Sequence, residues 1–159
     1  DYYIKEQIIM RKIFYITILL GAIITQAKAQ ETPIFPKGKK SPNVNHYGNV
    51  WLTELNAADS VFTYGTSVAI FDPEARLNWH IHPGGQILII TEGVGYYQEK
   101  GKAKQTVRRG DVVKCLPGIA HWHGASPERG VTYIATSPAE KGKTIWLEKV
   151  TEEQYRGSK

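Results

Sequence analysis

Two histidine pairs constrain this chain more than anything else in it. The first stands in Trp79-His80-Ile81-His82-Pro83-Gly84-Gly85-Gln86 and the second, much later, in His121-Trp122-His123-Gly124. Together they use four of the five histidines in 159 residues. Side chains two apart on a β-strand point to the same face. Each pair therefore aims two imidazoles into one space. Imidazole is the commonest metal-binding side chain, and three or four converging on one point suit a first-row transition ion.

The rest of the chain reads as short strands. Signals recur at Val50 to Leu55, Ser60 to Tyr64, Thr66 to Phe71, Trp79 to His82, Gln86 to Thr91 and Val94 to Gln98. They continue at Lys104 to Val107, Asp111 to Cys115, Val131 to Thr136 and Thr144 to Val150. Turn residues such as Asp72-Pro73-Glu74, Glu92-Gly93 and Arg109-Gly110-Asp111 separate them. No segment sustains a helical period, and no repeat or low-complexity tract appears. Regular short strands of this kind predict one all-β domain, a sandwich or barrel. Thr151 to Tyr155 is expected to form a short C-terminal helical turn capped by Thr151.

Before the strands come two other segments. Met10-Arg11-Lys12, the apolar run Ile13 to Ile24 and Ala27-Lys28-Ala29 have the three parts of a secretory signal peptide. The run is shorter than the roughly 20 residues a bilayer span needs. The expected organisation is residues 1–29 as upstream residues plus signal peptide, 30–49 as an extended arm, and 50–159 as the domain. The mature chain is then exported, periplasmic or secreted, with no membrane attachment. Removing residues 1–29 takes four basic and two acidic residues and leaves 16 Lys+Arg against 13 Asp+Glu. No basic stripe with interleaved aromatics is left, which argues against nucleic acid as a partner. His46, in the Pro/Gly/Asn-rich arm, reads as a surface residue. Cys115 has no partner for a disulfide and no activating His or Lys beside it, so it reads as a small buried hydrophobe.

The candidate ligands are His80, His82, Gln86 and His121. Pro83-Gly84-Gly85 lets the chain reverse, so that Gln86 opens the next strand beside the first pair. His121 arrives from a distant strand after Pro117-Gly118. Three nitrogens and one oxygen leave positions open on a five- or six-coordinate ion, the layout of a catalytic rather than a structural site. His123 shares the face of His121. It is either a further ligand or an acid/base group within reach of a bound substrate. Trp79, Ile81 and Trp122 point the other way and are expected to pack.

These residues resemble the cupins. The first cupin motif, G-x5-H-x-H-x3,4-E-x6-G, is matched by His80-x-His82-x3-Gln86-x6-Gly93, with Glu74 at the first glycine position and Gln86 in place of glutamate. The second, G-x5-P-x-G-x2-H-x3-N, is matched by Gly110-x5-Leu116-x-Gly118-x2-His121-x3-Ala125. The wording of both motifs resembles the small single-domain cupins that include the bacterial manganese-dependent hydroxynitrile lyases, and cupins found beside carboxymuconolactone decarboxylase-like domains. The resemblance implies a double-stranded β-helix, or jelly-roll barrel. It also implies one divalent transition ion per chain, manganese by preference, although such ligands also accept iron, nickel, cobalt or zinc. It places Ser67, Ala69 and Ser137 around the ion. Strand alternation adds Phe71 and Tyr133 as apolar walls.

A glutamate ligand would cancel one charge of a divalent ion; the neutral amide of Gln86 cancels none. That leaves a better Lewis acid and a poorer reductant. The expected activity is therefore a metal-dependent lyase acting on a small hydroxy or carbonyl compound. The alternatives are a dioxygenase of a phenolic or enediol substrate, which consumes oxygen, and a non-catalytic binding module. Exposed sheet edges and the arm point to a homodimer or a dimer of dimers.

Overall fold

A computed structural model describes residues 3–7, 11 and 33–157. Residues 3–7 are helical and exposed and belong to one compact unit, Asp1–Ile34; Phe35–Lys159 is the other. The expected signal segment lies almost wholly outside the described residues. Among those described, no helix is long and apolar enough to cross a membrane.

The second unit is all-β apart from a 3-10 turn, Ala139–Lys141, and a C-terminal helix, Glu152–Arg156. Its strands are β1 Lys39–Lys40, β2 His46–Tyr47, β3 Val50–Asn56, β4 Tyr64–Phe71, β5 Arg76–Leu77 and β6 His80–Ile81. Then follow β7 Gln86–Glu99, β8 Gln105–Arg108, β9 Val112–Cys115, β10 His121–Ala125, β11 Val131–Pro138 and β12 Ile145–Trp146. Every pairing is antiparallel. One layer runs β1-β3-β4-β11-β7-β9 and the other β2-β5-β10-β7-β8, with β6 between β10 and β12.

Strand β7 belongs to both layers. Its first half pairs with β11 and β9, and its second with β10 and β8. The crossing falls at Gly93, whose φ is 77°. A Cβ there would lie 1.9 Å from the carbonyl oxygen of Gly130, so only glycine lets the two backbones meet. Glu92-Gly93 thus bends one long strand where the sequence predicts a turn between two. Ser60 to Tyr64 also departs from expectation. The Asp59 carboxylate accepts the backbone N–H of Val61 and of Phe62, each at 2.7 Å, and this local bonding replaces a ladder. The final predicted strand shrinks to β12.

Alternation fills the interior. On β9 and the start of β7 every second residue is buried, placing Leu88, Ile90, Val113 and Cys115 with Ala69, Phe71 and Tyr133. A fully buried Leu or Phe contributes about 1.5–3 kcal/mol. A second, smaller core lies on the opposite side of the histidine strands, where Trp79, Trp122, Val150 and Tyr155 pack together. The C-terminal helix closes it. Thr151 accepts from the Gln154 N–H at 3.1 Å, and the Gln154 side chain accepts from the Thr151 N–H at 2.9 Å. Arg76 is buried between the rings of Tyr47 and Tyr155, 4.4 and 4.2 Å from their centroids, and pairs with Glu152. It ties the arm, β5 and the helix into one body.

Candidate metal centre

Strand register brings the two histidine pairs together. His121 on β10 stands directly opposite His80 on β6. Their ring centroids are 4.4 Å apart; His82 lies 5.1 Å from His80 and 5.5 Å from His121. One ring nitrogen from each of the three falls within 4.8 Å of the others, and all three residues are buried. After His82 the chain reverses through Gly85, φ 79°, whose N–H donates to the His82 carbonyl at 3.0 Å. A Cβ on Gly85 would press on the Cys115 carbonyl at 2.9 Å. That tight reversal starts β7 at Gln86, beside the imidazoles.

The ring orientations are fixed from behind. His80 Nδ1 donates to the Asn78 carbonyl at 2.8 Å, and His121 Nδ1 to the Ile119 carbonyl at 2.9 Å. A carbonyl only accepts, so the proton sits on Nδ1 and each Nε2 keeps a lone pair. His82 Nδ1 lies 3.3 Å from the Thr144 hydroxyl. Nε2 of His80, of His121 and of His123, and Oε1 of Gln86, are buried without a hydrogen-bond partner. An unsatisfied buried acceptor costs about 1–3 kcal/mol. The bare atoms of His80, His121 and Gln86 are acceptors gathered in one neighbourhood of an apolar barrel, and a cation is what such a set fits. The backbone carbonyls behind the rings supply the outer contacts typical of metal-bound imidazoles.

Electrostatics keep these ligands neutral. Burial, reinforced by the neighbouring His121, pushes His80 down to about 3 and His82 to about 4. Burial lowers His121 as well. Neutral imidazole is the form that binds metal. Cys115 is buried and free, and burial raises its thiol to about 12, so it offers no thiolate.

His123 lies outside the cluster of three nitrogens but against it, 5.0 Å from His80 and 5.9 Å from His121 between ring centroids. Its Nδ1 is 2.6 Å from the Tyr133 hydroxyl. Burial first, then the neighbouring histidines, holds its pKa well below the usual imidazole range; burial holds the Tyr133 phenol well above its own. Both are therefore neutral near pH 7. A hydroxyl both donates and accepts, so the Tyr133 O–H fits either tautomer of His123: it accepts when the proton is on Nδ1 and Nε2 keeps a lone pair, and it donates when the proton is on Nε2. Phe71 packs 5.2 Å from the Tyr133 ring and holds it in place.

A cavity of about 650 Å³ opens onto this cluster. Ser67, Ala69, Phe71, Tyr133 and Ser137 all line it, as do His80, His82, Gln86 and His123. His121 is behind them. Three contributions have no counterpart in the sequence reading. Trp146 lies over His80, 5.1 Å between ring centroids, and Thr144 touches His82. Thr144 lies just before β12, Ile145–Trp146, and both it and Trp146 line the cavity. The third is the arm: Ser41, Pro42, Val44, Asn45 and His46 form part of the wall. His46 is partly buried rather than a free surface residue.

Comparison with known proteins bears on this geometry. The cupin domain family matches residues 67–135. An (R)-mandelonitrile lyase from Granulicella tundricola is 46% identical over 103 residues, covering 64% of this chain and 78% of that one. The crystal structure of a cupin-like protein from Thermotoga maritima superposes with a TM-score of 0.77 at 43% identity, covering 79% of this chain and 96% of that one. A cupin 2 conserved barrel domain protein from Rhodopseudomonas palustris, 17% identical, shares the fold with a TM-score of 0.59, over 74% of this chain and 77% of its own.

Proposed function

This chain belongs to the cupin family, and we propose that its site is that of a metal-dependent lyase acting on a small hydroxy or carbonyl compound, in the manner of a hydroxynitrile lyase. The observation that carries the reading is the set of bare, buried acceptors on His80, His121 and Gln86, next to an uncharged cavity. His80, His82, His121 and Gln86 would hold a divalent ion, manganese by preference. Bound there, it supplies a Lewis acid that stabilises negative charge on a substrate oxygen or leaving anion. Gln86 keeps that ion's charge undiminished.

The protein side of the reaction falls to His123. With Nδ1–H donating to the Tyr133 hydroxyl, Nε2 holds a lone pair and takes a proton, the ring passing through an imidazolium whose charge the departing anion offsets. In cleavage, Nε2 takes the substrate hydroxyl proton as the carbonyl forms. The carbon–carbon bond to cyanide breaks with its electron pair on cyanide, and the proton returns to that leaving anion. Phe71 and Ala69 keep water from the reacting carbon.

The reading extends to export and self-association. The apolar run Ile13 to Ile24 supports the first. Exposed Ile87, Ile89 and Val112 on one outer sheet face support a homodimer or dimer of dimers, which light scattering at micromolar concentration would detect.

The deciding assay is benzaldehyde release from mandelonitrile by metal-loaded full-length protein. His123→Ala should slow it about 10²–10⁴-fold, the usual contribution of a positioned acid/base group. A wild-type rate equal to that of the metal-free control rules the lyase out. Oxygen uptake in its place would move the chain to the dioxygenases.

A further inference from the structure

One wall of the cavity is built by a segment that the chemistry above does not use. The arm is fastened at both ends. β1 pairs with β3 on one layer, and β2 pairs with β5 on the other. Between them the Ser41 N–H donates to the Val50 carbonyl at 2.8 Å, and the Asn45 carbonyl accepts from the Asn78 N–H at 2.9 Å. A strap held this way is a fixed surface, and its residues face the same space as the histidines.

Its last cavity residue is His46. Nδ1 donates to the Gly48 carbonyl at 3.1 Å, which leaves Nε2 with a lone pair. That Nε2 is buried and has no hydrogen-bond partner. His46 is not a member of the three-histidine cluster, so its free acceptor addresses something other than the ion. Buried polar atoms without partners are the exception in folded proteins. His46 is one of the residues lining the cavity, and an acceptor offered from that wall selects a donor; the commonest neutral donor on a small organic molecule is a hydroxyl.

The remaining lining narrows the class further. Among the described residues, no Lys, Arg, Asp or Glu lines the cavity; its walls include Val44, Leu52, Leu77 and Trp146. A carboxylate or ammonium placed away from the ion would be desolvated without a counter-charge. The volume of about 650 Å³ falls in the middle of the range, about 300–1,000 Å³, that accommodates drug-sized ligands.

We propose that His46 is a positioning residue, and that the arm makes the site selective for uncharged aryl substrates carrying a second hydroxyl remote from the reacting carbon. The proposal rests on the lyase reading only for the reacting end of the molecule.

The test is calorimetric titration of the manganese-loaded full chain with benzaldehyde, 3- and 4-hydroxybenzaldehyde, and 4-carboxybenzaldehyde. At least one hydroxylated aldehyde should bind about fivefold tighter than benzaldehyde, the ratio equivalent to one net hydrogen bond of about 1 kcal/mol. The carboxylate should bind more weakly than either. In His46→Asn the amide still reaches the Gly48 carbonyl but nothing stands at Nε2, and the hydroxyl-to-hydrogen ratio should fall to about one. His46→Gln, which returns a polar atom near Nε2, should restore part of it. Equal affinity of wild type for the neutral aldehydes, no binding of any, or a preference that survives in His46→Asn overturns the proposal. Because the comparison lies within wild type as well as between variants, a misfolded variant does not spoil it. Mandelonitrile turnover is scored separately. Discrimination without turnover sinks the lyase reading and keeps this one, and turnover without discrimination does the reverse.

Discussion

The strands that carry the histidines have two faces of opposite character. On the inner face, His80, His82, His121 and His123 are buried, and three of their Nε2 atoms have no partner. On the outer face, Trp79 and Trp122 are as deeply buried, yet their polar atoms are matched. Trp79 Nε1 donates to Gln154 at 3.2 Å, Trp122 Nε1 to Gln98 at 2.8 Å, and the Tyr155 hydroxyl to the Ala125 carbonyl at 2.9 Å. One face is a finished core. The other is held in an arrangement that only a ligand completes. Function and stability are thus separated by a single alternation of side chains, and the finished face keeps the unfinished one in register.

Breaking the finished face should have the largest effect. Trp122→Ala opens a cavity beneath the C-terminal helix, on the side of β10 opposite His121 and His123. The expected loss is about 3–5 kcal/mol, the usual cost for a buried large aromatic. Chemical denaturation of the variant reads this directly. A loss under about 1 kcal/mol would mean that the outer core does not support the strands.

Metal removal acts on the inner face and should come second. An ion that binds only the folded chain adds about 2.7 kcal/mol at a hundredfold excess over its dissociation constant. Chelation should lower the melting temperature without unfolding the barrel at room temperature, because the apolar core persists. His121→Ala should melt like the chelated protein and ignore added manganese. If chelation leaves the metal-loaded melting curve unmoved, His80, His82 and His121 do not hold an ion.

Acid should distinguish the faces without any substitution. His80 and His82 titrate near 3 and 4 in the fold, against about 6.5 when unfolded. Below 6.5 the unfolded chain takes up protons that the folded chain refuses. The inner face therefore contributes full stability above pH 6.5 and loses it progressively as pH falls toward 4. On the outer face the carboxyls of Glu152, hydrogen-bonded to Arg76, and of Glu148, hydrogen-bonded to Lys100, are held below their ordinary value of 4.5, so their loss begins lower. Melting temperatures of chelated protein should decline between pH 6.5 and 5. A flat profile there would contradict neutral buried imidazoles.

What the sequence made legible follows from the range of each signal. Alternation is a two-residue rule, so the shared face of each histidine pair, the opposite face of the tryptophans and the inward set Ser67, Ala69, Phe71 could be read directly. The Thr151 cap is likewise local. The bend at Gly93 could not be read, because its cause is the approach of Gly130 from another strand. Nor could the arm's place over the cavity, which depends on Asn45 meeting Asn78, distant in sequence, beside the β2–β5 pairing. His46 carried no local mark of either. The Asp59 turn was legible in principle, since aspartate beside two backbone amides competes with a strand, but the aromatic and β-branched residues after it imitate one.

The smallest effect expected is also the finest probe of the inner face. Tyr133→Phe removes one oxygen, the one 2.6 Å from His123 Nδ1, and leaves Phe71 its packing partner. The core volume barely changes, so the cost in stability should reflect the stranded Nδ1 and not a cavity. Without the hydroxyl, His123 loses the acceptor that holds the proton on Nδ1 and so keeps a lone pair on Nε2. A net hydrogen bond of about 1 kcal/mol corresponds to roughly a fivefold change in rate. kcat for mandelonitrile cleavage should fall by about that factor while KM is unchanged, since Tyr133 acts through His123 and not on the substrate. In a His123→Ala background the same substitution should have no further effect on kcat. An additive loss in the double variant would mean that Tyr133 reaches the substrate on its own, and that the two residues are not one proton-handling unit.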